Sequence, residues 1–249
     1  MKVRLCFQPP PIVTRLSRRL SSLPLKLLRQ CKNGVLPGGE HVRALPLGIA
    51  RGLRVSLDFR HQTRLFLGLY EIELNRHIRR LCCAHDNVFD VGGSIGYDAL
   101  IFARLTGGRV ISFEADSNIA VRLARTFQAN PALRPNLEIV RAFVSDIVDP
   151  PSDQTTLDAI AYGDGFVPQI IKIDVEGAEE RVLAGARRLL EEARPKLLIE
   201  VHGVCNETAC RDILEAHGYT VTAVQPRRWL TDNRPLPHNR WLIGAPGDP

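Results

Sequence analysis

The stretch Val88-Phe-Asp-Val-Gly-Gly-Ser-Ile-Gly-Tyr97 leaves the chain few ways to fold. A short apolar run holding one carboxylate, Asp90, meets the paired glycines Gly92 and Gly93. After Ser94 and Gly96 a helix-like run continues to Leu105. Glycine has no Cβ, so such a turn bends sharply and lets a ligand approach its backbone at the start of the following helix. Strand, glycine turn and helix start together predict an α/β fold that binds a nucleotide-like ligand at this turn.

The rest of the chain alternates in the same way. Residues 53–59 suggest a half-exposed strand or hairpin, an apolar run follows at 65–67, and 72–82 reads as a helix with Ile72, Leu74, Ile78 and Leu81 on its apolar face. Strand patterns follow at 109–113, at 137–140 together with 143–144, and at 170–174, 197–201, 219–224 and 240–243. Helical patterns fall at 118–128, 179–193 and 208–217, with a shorter one at 156–160. Strands separated by helical runs argue for βαβ units. The expectation is a doubly wound, mostly parallel seven-stranded sheet covered on both faces.

Charge divides the chain. Eleven of its 33 lysines and arginines lie in residues 1–55, against the single acid Glu40, although the whole chain has a net charge of +6. The body is therefore mildly acidic, and it carries no basic stripe interleaved with aromatics, so nucleic acid is not an expected partner. Residues 1–50 read as a Pro-, Arg- and Leu-rich arm before a domain at 51–249. Within the arm, Ile12, Leu16 and Leu20 recur between arginines as in a basic amphipathic helix. That pattern suits a peripheral membrane contact, a partner contact, a targeting peptide or a loosely draped arm. No long apolar core precedes Pro9-Pro-Pro11, and the six cysteines contain no CxxC pair. A cytoplasmic protein with reduced thiols is expected.

In a doubly wound sheet ligands bind beyond the carboxyl ends of the strands, and polar groups stand at each such end here. The turn fails as G-x-G-x-x-G in either register, which speaks against an NAD-linked oxidoreductase. It fits acid-x-Gly-x-x-x-Gly, as Asp90, Gly92 and Gly96, with Gly93 and Ser94 between, and this resembles the turn that binds S-adenosyl-L-methionine (SAM). Glu114, ending the second strand, can accept both ribose hydroxyls; its alternative is a solvated loop acid. Ser145 and Asp146 can reach an adenine ring or can simply form a turn.

The most distinctive block is Ile171-Lys-Ile-Asp-Val-Glu-Gly-Ala-Glu179. With the glycine turn and Leu198-Ile-Glu-Val-His202, it resembles the FkbM-type family of SAM-dependent methyltransferases over residues 65–205. The resemblance implies a Rossmann-like class I methyltransferase fold, SAM as cofactor, and methyl transfer to a hydroxyl of a small molecule such as a sugar or secondary metabolite. Gly93 and Ser94 stand where the family has Ala-Asn, and Ala115 where it has Pro. Segment 146–156 is short, which touches the acceptor more than the cofactor.

Proton removal from the acceptor falls to Asp174, Glu176, Glu200 and His202. Imidazole has the most suitable ordinary pKa, and Glu200, two residues earlier on the same strand, points to the same side. The four groups are also compatible with a divalent ion, but they do not specify one, and no metal is expected. An alternative is a methyltransferase-like scaffold that binds SAM without turnover.

Overall fold

The computed structural model describes residues 38–227 and 239–247. The amphipathic pattern at Ile12, Leu16 and Leu20 lies outside them. In chain order, β1 (Glu40–Ala44) pairs antiparallel with β2 (Arg54–Asp58). Next come α1 (Phe59–Phe66), α2 (Asn75–Leu81), β3 (Val88–Val91), α3 (Tyr97–Thr106), β4 (Val110–Phe113), α4 (Ser117–Gln128) and β5 (Leu137–Val140). The short β6 (Phe143–Val144) and β7 (Gln154–Thr155) precede α5 (Leu157–Gly163), β8 (Ile170–Ile173), α6 (Glu179–Ala184) and β9 (Lys196–His202). The last elements are α7 (Val204–Ala216), β10 (Tyr219–Val224) and β11 (Asn239–Pro246).

The central sheet runs β10-β11-β9-β8-β3-β4-β5. From β5 to β9 the strands are parallel, and β11 inserts antiparallel between β9 and β10. Successive side chains on a strand face opposite sides. Accordingly Val88, Val110, Ile170 and Leu198 join one core cluster, and Phe89, Ile111, Ile171 and Ile199 the other. Among the described residues no helix is long and apolar enough to cross a membrane.

Several elements differ from the sequence expectation, each for a local reason. Phe59, expected to end a strand, opens α1 instead: Asp58 caps the helix by accepting from the backbone N–H of Arg60, and Leu65 within it is buried. Residues 40–50, grouped by composition with the arm, pair and pack with the body; Leu45, Ile49 and Ala50 are buried. The helix expected over 179–193 is interrupted at Gly185, where a Cβ would stand 2.0 Å from the Ser145 carbonyl oxygen. Asp158 then accepts from the N–H groups of Arg188 and Leu189, at 2.9 Å each, and the chain continues as a π-turn over Leu189–Ala193. Phe143–Val144 leaves the third strand of the main sheet and pairs with β7 instead.

Helix α4 is capped by Asp116, whose carboxylate accepts from Asn118 N–H at 2.7 Å and Ile119 N–H at 3.1 Å. We expect Asp116→Ala to lower unfolding stability by about 1 kcal/mol, measured by chemical denaturation. This helix packs on β2 and β5 beside the site.

Candidate active site

A cavity of about 900 Å³ opens beyond the carboxyl ends of β3, β4, β8 and β9. Gly92, Gly93 and Ser94 line it beneath residues of α1 and Tyr70. On the β4–β5 side stand Glu114, Ile119 and Phe143. On the β8–β9 side stand Asp174, Glu176, Glu200 and His202.

The turn is shaped by contact as well as by conformation. Gly92 has φ +83°, and a Cβ there would lie 1.8 Å from the carbonyl oxygen of Asp174. The two strand ends therefore touch through backbone. Ser94 N–H donates to Glu114 Oε2 at 3.0 Å, and Asp116 N–H donates to Glu114 Oε1 at 2.9 Å. Both carboxylate oxygens are thus aimed by backbone donors before any ligand arrives.

Beneath the turn lies a row of polar groups placed by strand register, in which Asp90 stands opposite both Ser112 and Lys172. Ser112 Oγ donates to Asp90 Oδ2 at 2.7 Å. Lys172 Nζ donates to the Gly92 carbonyl at 3.2 Å and stands 3.5 Å from Asp90, 3.6 Å from Asp98 and 3.6 Å from Asp174. Burial by itself lowers the pKa of the Lys172 ammonium, but the charges of Asp90, Asp174 and Asp98 outweigh it and hold the pKa well above its ordinary value. Burial pushes the Asp98 carboxyl up to about 6 against the pull of Lys172.

The third group is centred on His202, the last residue of β9. Its Nδ1 lies 2.8 Å from Glu179 Oε1. Glu179 is fully buried at the first position of α6, and the same oxygen accepts from the N–H of Gly177 at 3.0 Å. The left-handed backbone of Glu176 and Gly177 curls the loop over this carboxylate. A carboxylate only accepts, so Nδ1 carries the proton and Nε2 faces the cavity. Nε2 lies 3.5 Å from Glu176, 3.8 Å from Asp174 and 3.8 Å from Glu200. Burial pulls the imidazole down, but the Glu179 hydrogen bond and the surrounding acids raise its pKa above the usual value.

The structure brings together eight of the residues singled out in sequence: Gly92, Gly93, Ser94, Glu114, Asp174, Glu176, Glu200 and His202. Four do not line the cavity. Asp90 lies buried under the turn, holding Ser112 and Lys172. Gly96 packs against α4, where a Cβ would meet Leu123 at 2.7 Å. The Ser145 hydroxyl is held by Gln154 at 3.2 Å, and Asp146 pairs with Arg181 at 2.8 Å. The departure of β6 from the sheet carries both away, and Ala142, Phe143 and Val144 take the wall position.

Sequence reasoning missed Lys172, Ser112 and Asp98, and it named Glu179 only as the end of the 171–179 block. One signal was available. Val88/Asp90, Val110/Ser112, Ile170/Lys172 and Leu198/Glu200 are all apolar–polar pairs two residues apart, so each strand turns a polar group to the same face near its carboxyl end.

In sheet order the strands run third, second, first, fourth, fifth, seventh, sixth, with the seventh antiparallel and a glycine turn after the first. This is a class I SAM-methyltransferase fold. Residues 140–221 match the family model described as the methyltransferase FkbM domain. The crystal structure of the methyltransferase FkbM from Methylobacillus flagellatus KT is similar at 24% identity and TM-score 0.51, covering 64% of this chain. The chain spans 43% of the length of that protein. The precorrin-6y C5,15-methyltransferase from Geobacter metallireducens GS-15 is similar at 18% identity and TM-score 0.47, over 70% of this chain and 87% of that one. A SAM-dependent O-methyltransferase from Thermotoga maritima is similar at 13% identity and TM-score 0.46, over 70% and 63% respectively. No curated protein matches.

Proposed function

We propose that the protein is a SAM-dependent O-methyltransferase acting on a hydroxyl of a small molecule. The observation that carries this reading is a single cavity with the glycine turn and an aimed Glu114 on one side and the Asp174–Glu200–His202 cluster on the other. The lining suits SAM by its chemistry. Glu114 can accept the ribose diol, because each of its oxygens keeps a second lone pair beyond its backbone hydrogen bond. Ile119 and Phe143 offer an apolar wall for the adenine, and the turn Gly92–Ser94 exposes backbone to the amino-acid end.

SAM supplies an electrophilic methyl group on a sulfonium. The protein's task is to hold an acceptor oxygen in line with that carbon and to receive its proton. Asp174, Glu200 and His202 converge on the acceptor side, which supports a role in both. Lys172 joins the two halves, touching the turn through the Gly92 carbonyl and the cluster through Asp174.

Calorimetry with SAM and with S-adenosylhomocysteine tests the cofactor half. Binding is expected, and Glu114→Ala should weaken it about tenfold or more, since two charge-assisted hydrogen bonds are lost. No binding of either compound at millimolar concentration sinks the reading. A screen of metabolite extracts with methyl-labelled SAM tests the acceptor half. Binding without transfer to any hydroxyl compound would favour a scaffold instead.

A further inference from the structure

The geometry points to a docking face for an anionic lipid leaflet, formed by Arg51, Arg76, Arg79, Arg80 and Arg104. The face lies outside the cavity and does not depend on the proposed methyl transfer.

Helix α2 buries Ile78 and Leu81 and leaves Arg76, Arg79 and Arg80 exposed. These three stand three and four positions apart, so they share one side of the helix, where like charges repel. Arg104, in the last turn of α3, links them to Arg51, because its Nη1 donates to the Arg51 carbonyl at 2.8 Å. Burial and then the charge of Arg79 lower the Arg104 pKa, which places the two guanidinium groups within electrostatic reach. Arg76 Nε donates to His77 Nε2 at 3.1 Å, and burial followed by the charges of Arg76 and Arg80 lowers the His77 pKa.

No acid offsets this charge. Among the described residues none of the five arginines pairs with a carboxylate. The flanking acids are taken, Glu73 by Arg227 at 2.6 Å and Asp86 by Lys196 at 3.1 Å. Exposed arginines elsewhere are paired: Arg109 with Glu138, Arg141 with Asp153 and Arg188 with Glu192. An ordinary solvated surface intersperses both signs. Here, on a mildly acidic body, the cations are gathered and the acids kept away, which suits a polyanion.

Two features favour a lipid leaflet over a nucleic acid. The first is aliphatic. Leu47 and Leu67 are exposed and adjoin the point where Gly48 and Gly68 meet; a Cβ on Gly68 would lie 2.8 Å from the Gly48 Cα. Arg51 N–H donates to the Gly48 carbonyl at 3.2 Å, so the leucines reach the arginine face through one turn. Aliphatic side chains enter the acyl boundary, whereas bases stack on aromatic rings, and the exposed aromatics Tyr70 and Phe143 line the cavity instead. The second feature is in the sequence. Residues 1–37 add eight lysines and arginines and no acid, with Ile12, Leu16 and Leu20 spaced among them. Guanidinium groups grip lipid phosphate, and a cluster of this size is what an anionic leaflet attracts.

The test is sedimentation of the full chain with vesicles of phosphatidylcholine alone and of phosphatidylcholine mixed equally with phosphatidylglycerol. Binding to the anionic vesicles is expected, with little to the neutral ones. Raising salt from about 0.05 M to about 0.5 M should weaken it at least tenfold. Arg76→Gln/Arg79→Gln/Arg80→Gln should weaken it about tenfold or more, since each cation near an anionic leaflet contributes roughly fivefold. Arg109→Gln/Arg141→Gln/Arg188→Gln removes the same charge from paired arginines elsewhere and should stay within about twofold. Leu47→Ser should weaken binding about threefold. All these side chains are exposed, so thermal melts should move by less than about 4 °C. Failure of wild type to bind the anionic vesicles overturns the proposal. So do equal losses in the two triple variants, which would make net charge the cause. So does a short DNA duplex that binds more tightly than the vesicles and loses affinity in the Arg76 triple variant, which would assign the face to nucleic acid.

Discussion

Lys172→Met is expected to destabilise the protein by about 3–5 kcal/mol, the cost of removing one partner from a buried charge network. Methionine nearly matches the lysine stem in length, so little of this loss is a packing defect. The lysine faces Asp90, Asp98 and Asp174 with 8% of its side chain exposed, and its removal leaves their charges facing one another in a dry site. Urea denaturation at neutral pH measures the loss; a change below about 0.5 kcal/mol, the range of an ordinary surface substitution, would rule the network out as a structural element. Adding Asp90→Asn to Lys172→Met should recover part of it, because the two changes remove opposite charges from one network.

The loss should also depend on pH, with a definite sign. Burial holds Asp98 at about 6, above its ordinary 3.8. The folded state therefore keeps a proton that the unfolded chain gives up. Stability from this group is full below the lower value and is lost as pH rises through the upper one. Without Lys172 the carboxyl rises further and holds its proton longer. The deficit of Lys172→Met is accordingly expected to be smaller at about pH 5 than at about pH 8.

The second large effect is at the turn. Gly92→Ala should cost more than about 3 kcal/mol and should abolish SAM binding in whatever folded protein remains. A left-handed alanine is strained by about 1–2 kcal/mol. The rest comes from contact, since the new methyl group would lie 1.8 Å from the Asp174 carbonyl oxygen, a backbone atom that cannot rotate away. Gly107 provides the control. It ends α3 with φ +66° and nothing within 4 Å of its absent Cβ. Gly107→Ala should cost only the conformational strain, about 1–2 kcal/mol, and leave SAM affinity alone. Equal losses in thermal melts of the two variants would mean that the contact with Asp174 is unimportant.

The contrast between these glycines marks how much of the site was legible in the chain. Gly92 could be read as part of a turn because it follows an apolar strand and precedes a helix. Its contact with Asp174 could not, because the two are brought together only when β8 pairs in register with β3. Glu114, Glu200 and His202 were legible for the same reason as Gly92: each ends a strand, and strand ends in a doubly wound sheet gather on one edge. Ser145 and Asp146 followed that rule too and were misplaced by it. Phe143–Val144 reads locally as strand but pairs with Gln154–Thr155 outside the main sheet.

By itself, the sequence determined the alternation of strands and helices, the glycine turn, and the acids and histidine at the strand ends, because these follow from local periodicity and from residue types confined to turns. Tertiary structure decided which of those groups meet. The grip of Glu179 on His202 spans 23 positions and that of Trp241 on Glu200 spans 41. Lys172 reaches the Gly92 carbonyl across 80 positions. Periodicity says which face of an element a side chain occupies, but strand register and burial decide what stands opposite it. Here they turn a row of strand-end acids into a cluster whose histidine has one nitrogen held and the other aimed.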